Sequence, residues 1–83
     1  MPDGPEPEGT DAVFEALRAW RTQQAKADGH PAYVVLKDVD LRAIAALRPR
    51  TPIELSRCPG IGPTKLERYG EAILEVIEQA VPA

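Results

Sequence analysis

The chain is 83 residues long, 43% hydrophobic, and carries a formal net charge of −3. This length holds one domain, excludes an ATP-driven motor or a two-domain enzyme, and sits near the lower limit for folding on a single core. The single cysteine, Cys58, excludes an internal disulfide and a cysteine-based metal cluster, and no apolar run approaches the roughly 20 residues of a membrane span.

The charge is unevenly placed. Residues 1–11 contain Asp3, Glu6, Glu8 and Asp11 and no Lys or Arg, so the remainder carries nine acids against ten bases. Residues 1–10 are acidic and rich in Pro and Gly, a composition predicting a disordered linker rather than a signal peptide. Residues 11–81 then form the folded unit, a module attached to something larger. A nearly neutral domain counts against strong nucleic-acid binding, because dedicated binders are usually basic.

Four helical segments follow in chain order. Thr10 or Asp11 is predicted to cap the first. Val13, Leu17, Trp20 and Gln24 recur at helical spacing, Phe14 widens the apolar face, Gly29 stops the helix and Pro31 prevents its continuation. Gly29–Leu36 has strand-like composition but no second strand to pair with. An extended loop or a single helical turn is expected there, pinned by Val34, Val35 and Leu36. Asp38 or Asp40 caps the second helix, Leu41, Ile44, Ala45 and Leu47 supply its buried stripe, and Pro49 ends it. Thr51 and Glu54 form a capping box around Pro52 at the start of a short third helix, with Ile53 and Leu55 directed into the core. The fourth helix starts at Pro63 and buries Leu66, Tyr69, Ile73, Ile77 and Ala80, with Leu74 beside them.

Between the third and fourth helices lies Cys58-Pro59-Gly60-Ile61-Gly62-Pro63. Two glycines permit a tight turn, and the free N–H groups of Thr64 and Lys65 at the following helix start suit a phosphate. The same segment also reads as a compact link between packed helices. Cys58, between Leu55 and Ile61, reads as a buried structural thiol, which is compatible with a reducing cytoplasm. Tyr33 either stacks on an unpaired base or keeps its ring in the core with the hydroxyl at the surface.

Taken together, Phe14-x-x-Leu17-x-x-Trp20-Arg21, Pro31-Ala32-Tyr33-Val34-Val35-Leu36, Leu41-x-x-Ile44-Ala45, Pro49-x-Thr51-x-x-Glu54-Leu55 and Pro59-Gly60-Ile61-Gly62-x-x-Lys65-Leu66-Glu67-Arg68-Tyr69-Gly70 resemble an HRDC (helicase and RNase D C-terminal) domain over residues 12–80. The resemblance implies an all-α fold, a compact bundle of about five short helices. It also implies a non-catalytic accessory role beside a RecQ-type bacterial DNA helicase, modulating its hold on single-stranded or structured DNA in repair and recombination. Tyr33 then matches the aromatic of a DNA-contacting loop, and Gly60, Gly62 and Lys65 match the glycine hairpin, with Thr64 at its helix start. Arg18, Arg21 and Lys26 fall at basic positions of the first helix, and Lys37 where the loop meets the second.

One feature departs from a DNA-binding surface. Glu67, Glu71, Glu75 and Glu78 are spaced 4, 4 and 3 residues apart and form one acidic stripe. It is either an ordinary solvated face or a regulatory, protein-contacting one that repels phosphate. A third reading, a helix-hairpin-helix duplex binder, has one hairpin copy where such binders usually carry two. Catalysis is not expected: His30 is the lone histidine, nothing in the pattern ties it to Ser56 or Cys58, and no P-loop or metal-ligand motif occurs. No metal or cofactor is expected. The expected partners are DNA, bound weakly, and the helicase core of the same chain or other repair proteins, with the domain a monomer in the bacterial cytoplasm near the nucleoid.

Overall fold

The structure, a computed structural model, describes residues 10–80. The linker expected over the N-terminal segment therefore falls almost wholly outside the described residues. Five helices follow one another: α1 (Thr10–Asp28), α2 (Ala32–Val35), α3 (Asp38–Leu47), α4 (Pro52–Ser56) and α5 (Pro63–Ala80). No strand occurs among the described residues. The long helices α1 and α5 pack on each other, α1 also carries α2 and α3, and α4 rests on α5. Val13, Leu17, Leu36, Leu41, Ile44 and Leu55 are fully buried in the shared core, and Ile73 and Ile77 join them from α5.

The helix ends follow from local chemistry. Asp11 lies inside the first turn of α1 rather than ahead of it, where a carboxylate suits the positive helix end. The side chain of Thr10, its rival as cap, lies outside the described residues. Gly29, at φ 70°, ends α1. The Gly29 N–H donates to the Lys26 carbonyl at 3.2 Å and the His30 N–H to that of Ala25 at 3.0 Å, the paired bonds of a Schellman motif. Residues 32–35 then make one helical turn, the second of the two expected forms for that segment.

Neither aspartate caps α3. Lys37 holds the cap position without a side-chain bond, and Asp38 and Asp40 sit in the first turn. The helix ends in an unusual way, with Arg48 itself in the left-handed region at φ 47° and its N–H bonded to the Ile44 carbonyl. Glycine usually fills this place. At α4 the expected cap is present: Thr51 Oγ1 accepts from the Glu54 N–H at 3.1 Å. The Glu54 carboxylate reaches one residue farther back than a standard box, to the Arg50 N–H at 3.0 Å.

Three apolar side chains expected in the core stand outside it. Leu47 is 61% exposed, Ile53 is 67% exposed, and Val34 is exposed as well. Leu47 lies in the last turn of α3, beside the solvent-facing Ala46, where the helix has already turned past its buried side. In a five-residue helix such as α4, one apolar anchor suffices, and Leu55 takes that place. In α2 the anchors are Val35 and the following Leu36.

Candidate nucleic-acid interface

The α2 turn is built so that its aromatic faces outward. Val35 and Leu36 are fully buried, and their neighbour Tyr33 is consequently turned to solvent, 66% exposed. Of the two sequence readings, the structure has the ring outside the core. Lys37 follows four residues later, exposed at the start of α3.

Arg21 fixes this turn from below and is not free to meet DNA. It is 7% exposed, donates from Nη1 to the Leu36 carbonyl at 3.0 Å and pairs with Asp38 Oδ1 at 2.6 Å. The hydrogen bond and charge of Arg21 hold the Asp38 carboxyl below its ordinary range, with help from Arg18 and Arg42. The expectation that Arg21 is a DNA contact is corrected by its burial: three turns into α1, its position faces the α2–α3 junction.

Arg18 remains exposed, loosely paired with Glu15 at 4.0 Å. Because Arg18 and Arg42 both act on Asp38, the bases near the start of α3 are Arg18, Lys37 and Arg42. Sequence reasoning missed Arg42. Its guanidinium lies over the Phe14 ring, 4.4 Å from the centroid, a cation–π stack that holds the charge at the surface. A visible signal was its position, on the exposed face of α3 five residues after Lys37. Lys26 is exposed but separate, about 12 Å along α1 from Arg18 by helical rise.

The glycine hairpin is a Pro59-Gly60 turn. The Ile61 N–H donates to the Cys58 carbonyl at 3.3 Å and Gly60 takes φ 83°, the signature of a type II turn. Gly62 has open space where a side chain would stand. Gly60 does not, because the Asp40 carboxylate lies directly against it. The α3 start and the hairpin therefore adjoin, and Asp40 brings a negative charge to the place where a phosphate would approach. The first turn of α5 carries no acid; Lys65 there is half-buried and Thr64 exposed. Cys58 is buried, with its thiol pushed up by desolvation and by the Glu54 charge, and its Sγ donates to the Glu54 carbonyl at 3.7 Å.

The four glutamates of α5 are all exposed and span about 80° of the helix by its 3.6-residue repeat. Lys65 projects about 160° away from Glu67 on the same helix. Arg68, by the same repeat, lies only about 20° from Glu75, so a base borders the acidic stripe. Among the described residues no group of His, Cys, Asp or Glu has the arrangement of a metal site, and no helix is long and apolar enough to cross a membrane.

The chain is a small all-α bundle with an exposed aromatic turn, a few surface bases and an acidic flank. Residues 10–77 match the HRDC domain, and the chain belongs to that family. The chain is 46% identical over 61 residues to the ATP-dependent DNA helicase UvrD2 of Mycobacterium tuberculosis, covering 74% of this chain and 9% of the relative. Identity to the ATP-dependent DNA helicase RecQ of Pasteurella multocida is 36% over 67 residues, 81% of this chain and 11% of the relative. Identity to ribonuclease D of Desulfotalea psychrophila is also 36%, over 83% of this chain and 18% of the relative. The chain thus spans about a tenth of the helicases it matches. The solved structure of D. radiodurans RecQ HRDC domain 3 superimposes with a TM-score of 0.85 at 39% identity, covering 89% of this chain and 97% of that one. HRDC is a non-catalytic accessory domain found with RecQ-type helicases.

Proposed function

We propose that this HRDC module adds weak contacts to single-stranded or structured DNA beside a RecQ-type helicase core in the bacterial cytoplasm. The carrying observation is the exposed Tyr33 ring on an anchored turn, with Lys37 four residues on and Arg18 and Arg42 close to Asp38 at the start of α3. One base stacked on an aromatic ring contributes about 1–3 kcal/mol, whereas even millimolar binding needs about 4 kcal/mol. A surface with one ring and a few cations therefore binds DNA only weakly by itself and modulates the hold of the larger helicase. Gly60, Gly62, Thr64 and Lys65 play the smaller part, because Asp40 opposes phosphate at the hairpin. For the same reason the helix-hairpin-helix duplex reading loses support.

The test is a low-salt titration of the domain with single-stranded, duplex and junction DNA. Tyr33→Ala is expected to weaken single-strand binding about 5- to 150-fold. Lys65→Ala is expected to cause a smaller loss, equal for all sequences. No binding by the wild-type domain to any of the three would overturn the proposal. A second reading, contact with protein through the α5 stripe, is favoured by the exposure of Glu67, Glu71, Glu75 and Glu78.

A further inference from the structure

A groove of ≈ 670 Å³ runs between the α3–α4 link and α5. Its apolar floor is Pro49, Leu74 and Ile77, and its walls carry opposite charge. Arg48 and Arg50 stand on one side, and Glu71, Glu75 and Glu78 on the other. None of the three carboxylates belongs to an ion pair among the described residues. Across from them, Arg48 Nε and Nη2 are shielded from water and meet no acceptor. Buried donors left unpaired are costly, and Arg48 also holds a left-handed backbone conformation that disfavours a side chain. The groove itself is bipolar, an acidic wall facing a basic one over an apolar floor, and Arg50 on the basic wall is exposed and belongs to no ion pair among the described residues.

We propose that this groove binds an extended peptide segment of a separate partner protein, one presenting Lys or Arg, then an apolar residue, then Asp or Glu. The basic side chain lies along Glu71, Glu75 and Glu78. The apolar one fills the floor at Leu74 and Ile77. The acidic group pairs with the exposed guanidinium of Arg50 on the opposite wall. Nucleic acid fits poorly, because three carboxylates face its phosphates. Residues 1–9 of this chain also fit poorly, since they contain acids but no Lys or Arg for the α5 wall. The proposal rests on the protein-contacting reading of α5, and its failure leaves the Tyr33 reading standing, because the two surfaces report at different amides.

The experiment is an amide-resolved NMR titration of the whole 83-residue chain with an acetylated, amidated Lys-Lys-Leu-Glu peptide. Shifts are expected at residues 48–50 and 71–78 and not at Tyr33. Glu71→Gln, Glu75→Gln and Glu78→Gln combined are expected to weaken binding about tenfold. Arg50→Gln is expected to weaken it severalfold, with both variants keeping the wild-type spectrum elsewhere. A control peptide with Gly for Leu, or with the Lys residues replaced by Glu, is expected to leave the spectrum unchanged. Absence of shifts at millimolar peptide, equal shifts with either control peptide, or the same shifts from oligothymidine would overturn the proposal. Groove shifts produced by raising the chain's own concentration would overturn it as well, in favour of self-association.

Discussion

Tyr69 and Asp28, 41 residues apart in the chain, meet at 2.9 Å, the Tyr69 hydroxyl donating to Asp28 Oδ2. The bond joins the end of α1 to the middle of α5. Asp28 also accepts from Gln24 Nε2 at 3.1 Å, and Arg68 lies 3.8 Å away. Trp20 packs edge-on against the Tyr69 ring at 5.7 Å. A carboxylate at a helix C-terminus opposes the helix dipole, so these partners offset an unfavourable placement. Tyr69→Phe keeps the ring contact and removes the bond. With a net hydrogen bond contributing about 1 kcal/mol, Tm should fall by about 4–8 °C in a domain of this size, measured by thermal denaturation. An unchanged Tm would show that the bond contributes nothing.

Acid should loosen the fold at two defined points. The Asp28 carboxyl is held low by its bonds to Tyr69 and Gln24, and that of Asp38 by Arg21. A carboxyl lowered in the folded state contributes stability that is complete above its unfolded value near 3.9 and is lost as pH falls through the lower folded value. Denaturant midpoints should therefore hold steady from pH 7 to about 5 and drop below 4. The drop should shrink in Asp28→Asn and Asp38→Asn. Tyr69 works in the opposite direction. Burial, then the Asp28 contact, raises its hydroxyl, so its contribution is present below the unfolded value near 10 and is lost as pH rises through the folded one.

Arg21 and Arg18 are both bases of α1, yet they should behave differently. Arg21→Ala strands the buried Leu36 carbonyl and frees the α2 turn, a loss of about 1–3 kcal/mol. Arg18→Ala, at an exposed position, should stay within about 0.5 kcal/mol of wild type. Equal stability of the two variants in urea denaturation would contradict the clamp.

The left-handed positions should respond in opposite senses. Gly60→Ala places a side chain at φ 83° and makes the Asp40 carboxylate swing aside, and a drop of about 1–2 kcal/mol, chiefly from the backbone, is expected. Arg48→Gly relieves the backbone and deletes the two orphaned donors, and a gain of about 1 kcal/mol, or a Tm higher by about 4–8 °C, is expected. Calorimetry of the two variants checks both signs.

Much of the bundle is legible from residue pattern alone. The periodic faces of α1 and α5, the Gly29 stop and the Thr51 cap each report local chemistry, and the structure bears them out. What escapes is tertiary. Leu47 and Ile53 have the right residue type for a core but face away from it, because burial in a short helix depends on where its neighbours lie. Arg21 and Arg18 look alike in a sequence, and contact with Leu36 and Asp38 separates them. Asp40 reads as a helix cap; its place against Gly60 depends on how α3 meets a turn twenty residues later.

The length of α5 has a consequence in electrolyte. By helical rise, Lys65 and Glu78 are separated by about 20 Å, and the molecule measures 21 Å across its shortest principal axis. At physiological ionic strength the field of an exposed charge fades over about 8 Å. Lys65 and Glu78, at the two ends of α5, are then screened from one another. In dilute buffer the screening length grows to about 30 Å, and cation–phosphate attraction strengthens as well, so low salt is where a weak contact at the Tyr33 turn is seen. The two ends of α5 thus act most independently under cellular conditions.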